Sequence, residues 1–157
     1  MPSTPVEGSL SSALTSEHRR LDELWNETRR TVENDASAER ITRLEAFGKE
    51  LRRHILDEEE ILFPRFEERT GTRAGGPTAV MRMEHRQMEA LIQELITTLG
   101  KGSGPVQVAE QTKVFSSLMD GHDKKEEGML YPMMDRAFGE VEGPALLAKT
   151  SLGRCEA

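Results

Sequence analysis

The chain has 157 residues and a net charge of −7, from 21 Lys and Arg against 28 Asp and Glu; apolar residues make up 36% of it, and only seven side chains are large rings. That length suits one compact domain with a real core, which must come from Leu, Ile, Val and Met and therefore leans helical. A single cysteine, Cys155, excludes disulfide scaffolds, zinc ribbons and iron–sulfur cages, and the acidic balance, with Arg52-Arg53 set beside Asp57-Glu58, argues against a nucleic-acid surface.

Gly, Pro and Ser divide residues 9–139 into four long segments, after an expected flexible stretch over 1–8. The first runs from Ser9 to Glu33, with Ser11 or Ser12 as N-cap and an Asn34-Asp35 turn closing it. The second, Ser37 to Thr70, ends in a Gly- and Pro-containing loop up to Pro77. The third opens with Pro77 in its first turn and reaches Leu99. The fourth runs from Val106 to Phe138 and is stopped by Gly139; over 140–157 a short helix around Pro144 to Lys149 and a tail follow, the last residues frayed and Cys155 an exposed thiol.

No segment alternates with period two, and each repeats apolar residues at three- and four-residue steps. Phe47, Leu51, Ile55, Ile61 and Leu62 mark one stripe, and Phe115, Leu118, Met119, Met129 and Met133 another. Because short loops force antiparallel neighbours, the expected fold is all-α, an up-down-up-down antiparallel four-helix bundle. No apolar run approaches the roughly 18 residues of a membrane span, and MPSTPVEGSL lacks a secretion signal, so a soluble, cytoplasmic chain with no membrane partner is expected.

The chain also repeats itself. EHRRLDEL at 17–24 matches EHRQMEAL at 84–91, and HILDEEEILFP at 54–64 matches HDKKEEGMLYP at 122–132, at offsets of 67 and 68 residues. An internal two-fold pseudo-symmetry is therefore expected. All four histidines, His18, His54, His85 and His122, lie in these repeats. From His18 to the first turn is about 15 residues, roughly 23 Å of helix, and from Ser37 back to His54 roughly 26 Å, so the two imidazoles are nearly level.

A carboxylate follows each second-type histidine by four residues: Glu58 after His54 and Glu126 after His122. That spacing puts histidine and glutamate on one helix face, the face of Phe47 and Leu51 in one case and of Phe115 and Met119 in the other. Glu59 and Glu127 lie about 100° further round and face outward or toward a neighbour. One inward histidine is ordinarily a hydrogen-bonded core residue. Two inward carboxylates without an inward Lys or Arg need a cation. Histidine and carboxylate donors without thiolate suit iron, manganese or zinc, and a dinuclear iron centre best.

With EHRRL, HILDEEEILFP, MRMEH and HDKKEEGMLYP in place, the chain resembles the hemerythrin-like family and its repeated His-His-Glu cation-binding motif. The resemblance implies a cofactor of two iron ions with an oxo or hydroxo bridge. His18 and His54 would hold one iron and His85 and His122 the other, with Glu58 and Glu126 bridging them. Oxygen-carrying hemerythrins have five histidines, two of them four apart on the third helix; here only His85 is present, flanked by Met81 and Glu89 at that spacing, and either could take the missing place. Asp22 and Glu89 are also candidates for orienting imidazole N–H groups around the ligands.

Trp25, on the metal-facing stripe, reads as packing rather than as a gate, and Tyr131, nine residues beyond His122, as packing on the far side unless Pro132 distorts the turn. Gly121 beside His122 weakens its helix at a functional place. Four histidines rather than five tilt the expected function from oxygen transport toward turnover of peroxide or nitric oxide, with a small ligand (O2, H2O2 or NO) as partner. An oxygen, redox or iron sensor is the second reading, and iron storage or delivery a third.

Overall fold

The computed structural model describes residues 8–34, 37–72 and 75–154, and these are helical throughout, without a strand. Helix α1 spans Leu10–Asn34 and α2 Glu39–Leu56; a π-helical stretch, Asp57–Leu62, leads directly into α3, Phe63–Thr70. After a loop come α4, Pro77–Gly100, and α5, Pro105–Lys125; a second π-helical stretch, Glu126–Leu130, leads into α6, Tyr131–Lys149, and α7, Ser151–Arg154, follows. Helix α1 packs against α2, α5 and α6, and α4 against α2 and α5, so the described residues form a helical bundle.

Both π-helical stretches have the same local cause. Pro64 and Pro132 sit two residues beyond them, and a helical proline lacks an N–H and pushes its ring against the carbonyl four residues back. The chain widens one turn: the Phe63 N–H donates to the Glu58 carbonyl and the Tyr131 N–H to the Glu126 carbonyl, five residues back in each case. Each wide turn takes up one extra residue and rotates everything after it by about 100°.

This rotation corrects the expected stripes. Leu62 is buried as expected, but Met129 is 46% exposed and Ile61 and Met133 are only half-buried; Phe63 and Phe66, and Leu130, Tyr131 and Met134, point inward instead. Two apolar clusters result. One gathers Leu21, Trp25, Phe47, Leu51, Met88 and Phe115, with others, and the second Leu14, Leu62, Phe63, Met81, Leu130 and Tyr131, with others. On every long segment the histidines and inward glutamates fall between residues of the first cluster and residues of the second, which makes them a polar layer sandwiched by apolar ones.

The ends are tied down by carboxylates. Helix α1 is capped by Ser9, whose Oγ accepts the Ser12 N–H at 3.1 Å, rather than by Ser11 or Ser12. The Ser11 N–H donates to Asp135 at 3.2 Å, and its hydroxyl donates to the same carboxylate. At the other end, the Ser151 N–H donates to buried Asp57 at 3.0 Å and its hydroxyl donates to the second oxygen. Residues 151–154 are thus a docked helix, not a frayed tail; the expectations for 1–7, Asp35 and Cys155 lie outside the described residues. Gly139 does break its helix: at φ 73° and ψ −172° it separates the 131–138 and 140–149 parts of α6.

Three substitutions test this account by chemical denaturation. Gly121 lies in regular helix, and a Cβ there meets no atom within 4 Å, so Gly121→Ala is expected to stabilise the chain by about 0.5–1 kcal/mol. Gly139→Ala is expected to destabilise it by about 1–3 kcal/mol, because that backbone conformation is open only to glycine. Asp57→Ala strands the buried Ser151 N–H and hydroxyl and is expected to cost about 1–3 kcal/mol.

Candidate metal centre

The polar layer is built from four helical segments, and its residues meet. The rings of His18 and His54 are 5.1 Å apart between centroids and those of His85 and His122 4.7 Å apart. Glu58 and Glu126 lie between these pairs, each at 0% exposure. Glu58 Oε1 stands 3.3 Å from His54 Nε2 and 3.1 Å from His85 Nε2, and so faces one imidazole of each pair. Glu126 Oε1 does the same from the other side, 3.1 Å from His18 Nε2 and 3.0 Å from His122 Nε2. The donor atoms of Glu58, His85, His122 and Glu126 fall in one sphere small enough for an ion, and those of His18, His54 and Glu126 in another.

Most of these contacts are close without being hydrogen bonds. The Nε2 atoms of His54, His85 and His122, Glu58 Oε1 and Glu126 Oε2 are buried and have no partner in hydrogen-bonding geometry. Buried polar atoms are almost always satisfied. Five orphans converging on two points, all imidazole or carboxylate, are the donor set of a borderline metal such as iron, manganese or zinc, and the residues present fit such a group.

A layer of acids surrounds them. Glu127 accepts from His18 Nδ1 at 3.0 Å, Glu59 from His85 Nδ1 at 3.0 Å, and Glu84 from His122 Nδ1 at 3.1 Å. A carboxylate on Nδ1 fixes the tautomer, leaving the Nε2 lone pair for a metal, and raises the basicity of the ring. Glu84 is itself gripped by Lys125, and Glu59 lies 3.6 Å from Arg82. Sequence reasoning missed these acceptors. Glu59 and Glu127 turn toward neighbouring helices, one of the two directions open to them, and Glu84, adjacent to His85, gave no spacing signal.

The other expected neighbours fall elsewhere. Glu89 pairs with Arg52 at 2.8 Å on the surface. Met81 is buried among the apolar residues of the second cluster. Trp25 packs between Phe47 and Phe115 in the first cluster and donates from Nε1 to Ser116 at 2.8 Å. Asp22 is half-buried near His18, and burial raises its carboxyl above the usual range. Tyr131 departs most from expectation. The widened turn after Glu126 swings it from the far side into the layer, where it is fully buried and its hydroxyl stands 2.7 Å from Glu58, 2.9 Å from His18 and 3.1 Å from Glu126. Pro132, one residue on, was the available signal.

The electrostatics follow from this crowding of acids. Burial pushes the imidazoles toward neutrality, yet His18 is raised well above the usual histidine range by Glu126 and Glu127, and His85 is pushed up to about 10 by Glu58 and Glu59. Burial also opposes ionisation of Glu58, but His54 and His85 hold it well below the usual carboxylate range. Asp123, partly buried and 3.5 Å from His18, is pushed up to about 7, mainly by desolvation and by the nearby Glu126 and Asp22. Burial and the charges of Glu126 and Glu58 keep the Tyr131 phenol protonated in the protein alone. The layer is an excess of buried negative charge that imidazole protons offset, and a cation binding at Nε2 displaces those protons.

Comparison with known proteins agrees with this chemistry. The model of the hemerythrin HHE cation binding domain matches residues 9–144. The chain is 34% identical over 107 residues to the iron-sulfur cluster repair protein YtfE of Edwardsiella ictaluri (strain 93-146), covering 62% of this chain and 46% of that protein. It is 30% identical over 92 residues to the protein of the same name from Escherichia coli O139:H28 (strain E24377A / ETEC), covering 54% and 41%. The chain thus spans less than half the length of these relatives. No solved structure matches it at comparable stringency. With nearly its whole helical region matched by the family model, the chain belongs to the hemerythrin HHE cation binding domain family.

Proposed function

We propose that this chain is a non-heme di-iron domain acting in the cytoplasm, in which His18 and His54 hold one iron, His85 and His122 the other, and Glu58 and Glu126 bridge them. The reading includes an oxo or hydroxo bridge, an up-down-up-down order of the four long segments and a two-fold relation between the halves. The observation that carries it is the set of five buried donor atoms without hydrogen-bond partners between the two imidazole pairs. When bound, the two irons would supply redox and Lewis-acid chemistry toward O2, peroxide or nitric oxide.

The chain's own residues prepare the site for that chemistry. Glu127, Glu59 and Glu84 hold three of the rings at Nδ1 and keep Nε2 directed inward. The apolar clusters above and below exclude bulk water, which strengthens every charge interaction in the layer. The fifth histidine of the oxygen carriers is absent, and this favours turnover of peroxide or nitric oxide over reversible carriage. The name of the curated relatives, iron-sulfur cluster repair protein, supports a second reading in which the domain protects or repairs such clusters in other proteins.

Three experiments test the reading. Glu58→Ala and His54→Ala are expected to abolish iron uptake, measured by metal analysis, while far-UV circular dichroism keeps most of the helical signal; uptake at the unaltered level would contradict the ligand assignment. Glu127→Gln, which leaves the ligands in place, is expected to weaken iron affinity by about 10- to 100-fold. For the reaction, the iron-loaded chain is expected to consume added peroxide or nitric oxide catalytically. Repeated oxygenation and deoxygenation without autoxidation or peroxide loss would show a carrier instead.

A further inference from the structure

Tyr131 is neither histidine nor glutamate, yet its hydroxyl lies within hydrogen-bond distance of three members of the two donor groups. It stands 2.7 Å from Glu58 Oε2, 2.9 Å from His18 Nε2 and 3.1 Å from Glu126 Oε1, with the side chain fully buried. A phenol has one proton. Given to Glu58, it leaves the phenolic oxygen facing a Glu126 oxygen, acceptor against acceptor, in a site sealed from water. A shared cation relieves that contact. Metal–ligand bonds of about 2.1 Å at right angles place neighbouring donor atoms about 3 Å apart, and that is the spacing of this oxygen from one imidazole and two carboxylates.

We propose, on the di-iron reading above, that Tyr131 is a further protein ligand, through its phenolic oxygen, to the ion held by His18 and His54, and that the ion held by His85 and His122 has no such ligand. Ligation breaks the phenol O–H bond as the oxygen–metal bond forms; the proton leaves to solvent and no electron moves. The second half of the claim rests on Phe63, the repeat counterpart of Tyr131. Phe63 stacks flat on His85, 5.9 Å between centroids and 5° between planes, where Tyr131 lies against His18 at 5.3 Å. The phenyl ring offers no donor atom. The two ions are therefore unequal. One is filled by protein, and the other, beside Phe63, keeps the open position at which an added ligand such as azide binds.

The test is the optical and resonance Raman spectrum of the full chain loaded with ferric iron, with iron measured in the same sample. Tyr131 is the sole tyrosine of the chain, so any iron-bound phenolate signal is its own. The expected result is a visible phenolate-to-iron charge-transfer band that enhances tyrosine ring modes, with both lost in Tyr131→Phe at unchanged iron content. Bound iron without tyrosine modes in the unaltered protein would overturn the ligand assignment and leave the di-iron reading standing. Failure to bind iron at all would overturn both. The spectrum of the unaltered chain decides the matter even where the variant folds poorly.

Discussion

Two carboxylates with no access to water, Glu58 and Glu126, set the terms for the rest of this structure. An isolated buried carboxylate is costly enough that it is paired, protonated or bound to a metal. Here each faces two imidazoles from different helices, and three of the four imidazoles lean on a further acid at Nδ1. The arrangement concentrates negative charge where the dielectric is lowest. It is a poor way to gain stability, since buried pairs seldom repay their desolvation. It is a good way to hold cations, and the apolar clusters on either side raise both the penalty without a cation and the gain with one.

The same residues are linked to a backbone irregularity. The carbonyls of Glu58 and Glu126 accept from N–H groups five residues on, so each inward carboxylate opens a widened turn, and each widened turn is followed by a proline. The turn re-aims all later side chains. In one half it brings Phe63 onto His85, in the other Tyr131 onto His18. The repeated segments therefore share a widened turn and differ in the ring that it brings to the polar layer. Asp57 and Asp135 then hold α7 and the start of α1 against the bundle.

How much of this was legible in the sequence depended on the range of the interaction. Histidines and glutamates four apart, repeated at a near-constant offset, placed the donor set on inward faces without any structure, because that inference needs only the helical repeat over one turn. The stripes of Phe47, Leu51, Phe115 and Met119 were legible for the same reason. Beyond Glu58 and Glu126 the reading held only in part: Leu62 is inward as expected, but a fixed period of 3.6 carried Met129 inward and Tyr131 outward, and one inserted residue reverses those two assignments. Pro64 and Pro132 were visible, but a proline in a helix can kink, break or widen it, and only the surrounding packing selects among these. The Asp57–Ser151 contact and the Glu84–His122 contact join residues far apart in the chain and carry no periodic signature.

In the proposed site the buried layer would hold two metal ions bridged by the two glutamates. Iron-edge X-ray absorption on the purified full chain, with metal content measured on the same sample, tests it most directly. Two irons per chain, nitrogen and oxygen neighbours without sulfur, and a short iron–iron scattering path are expected. A single zinc, or no bound metal after preparation with iron present, would contradict it.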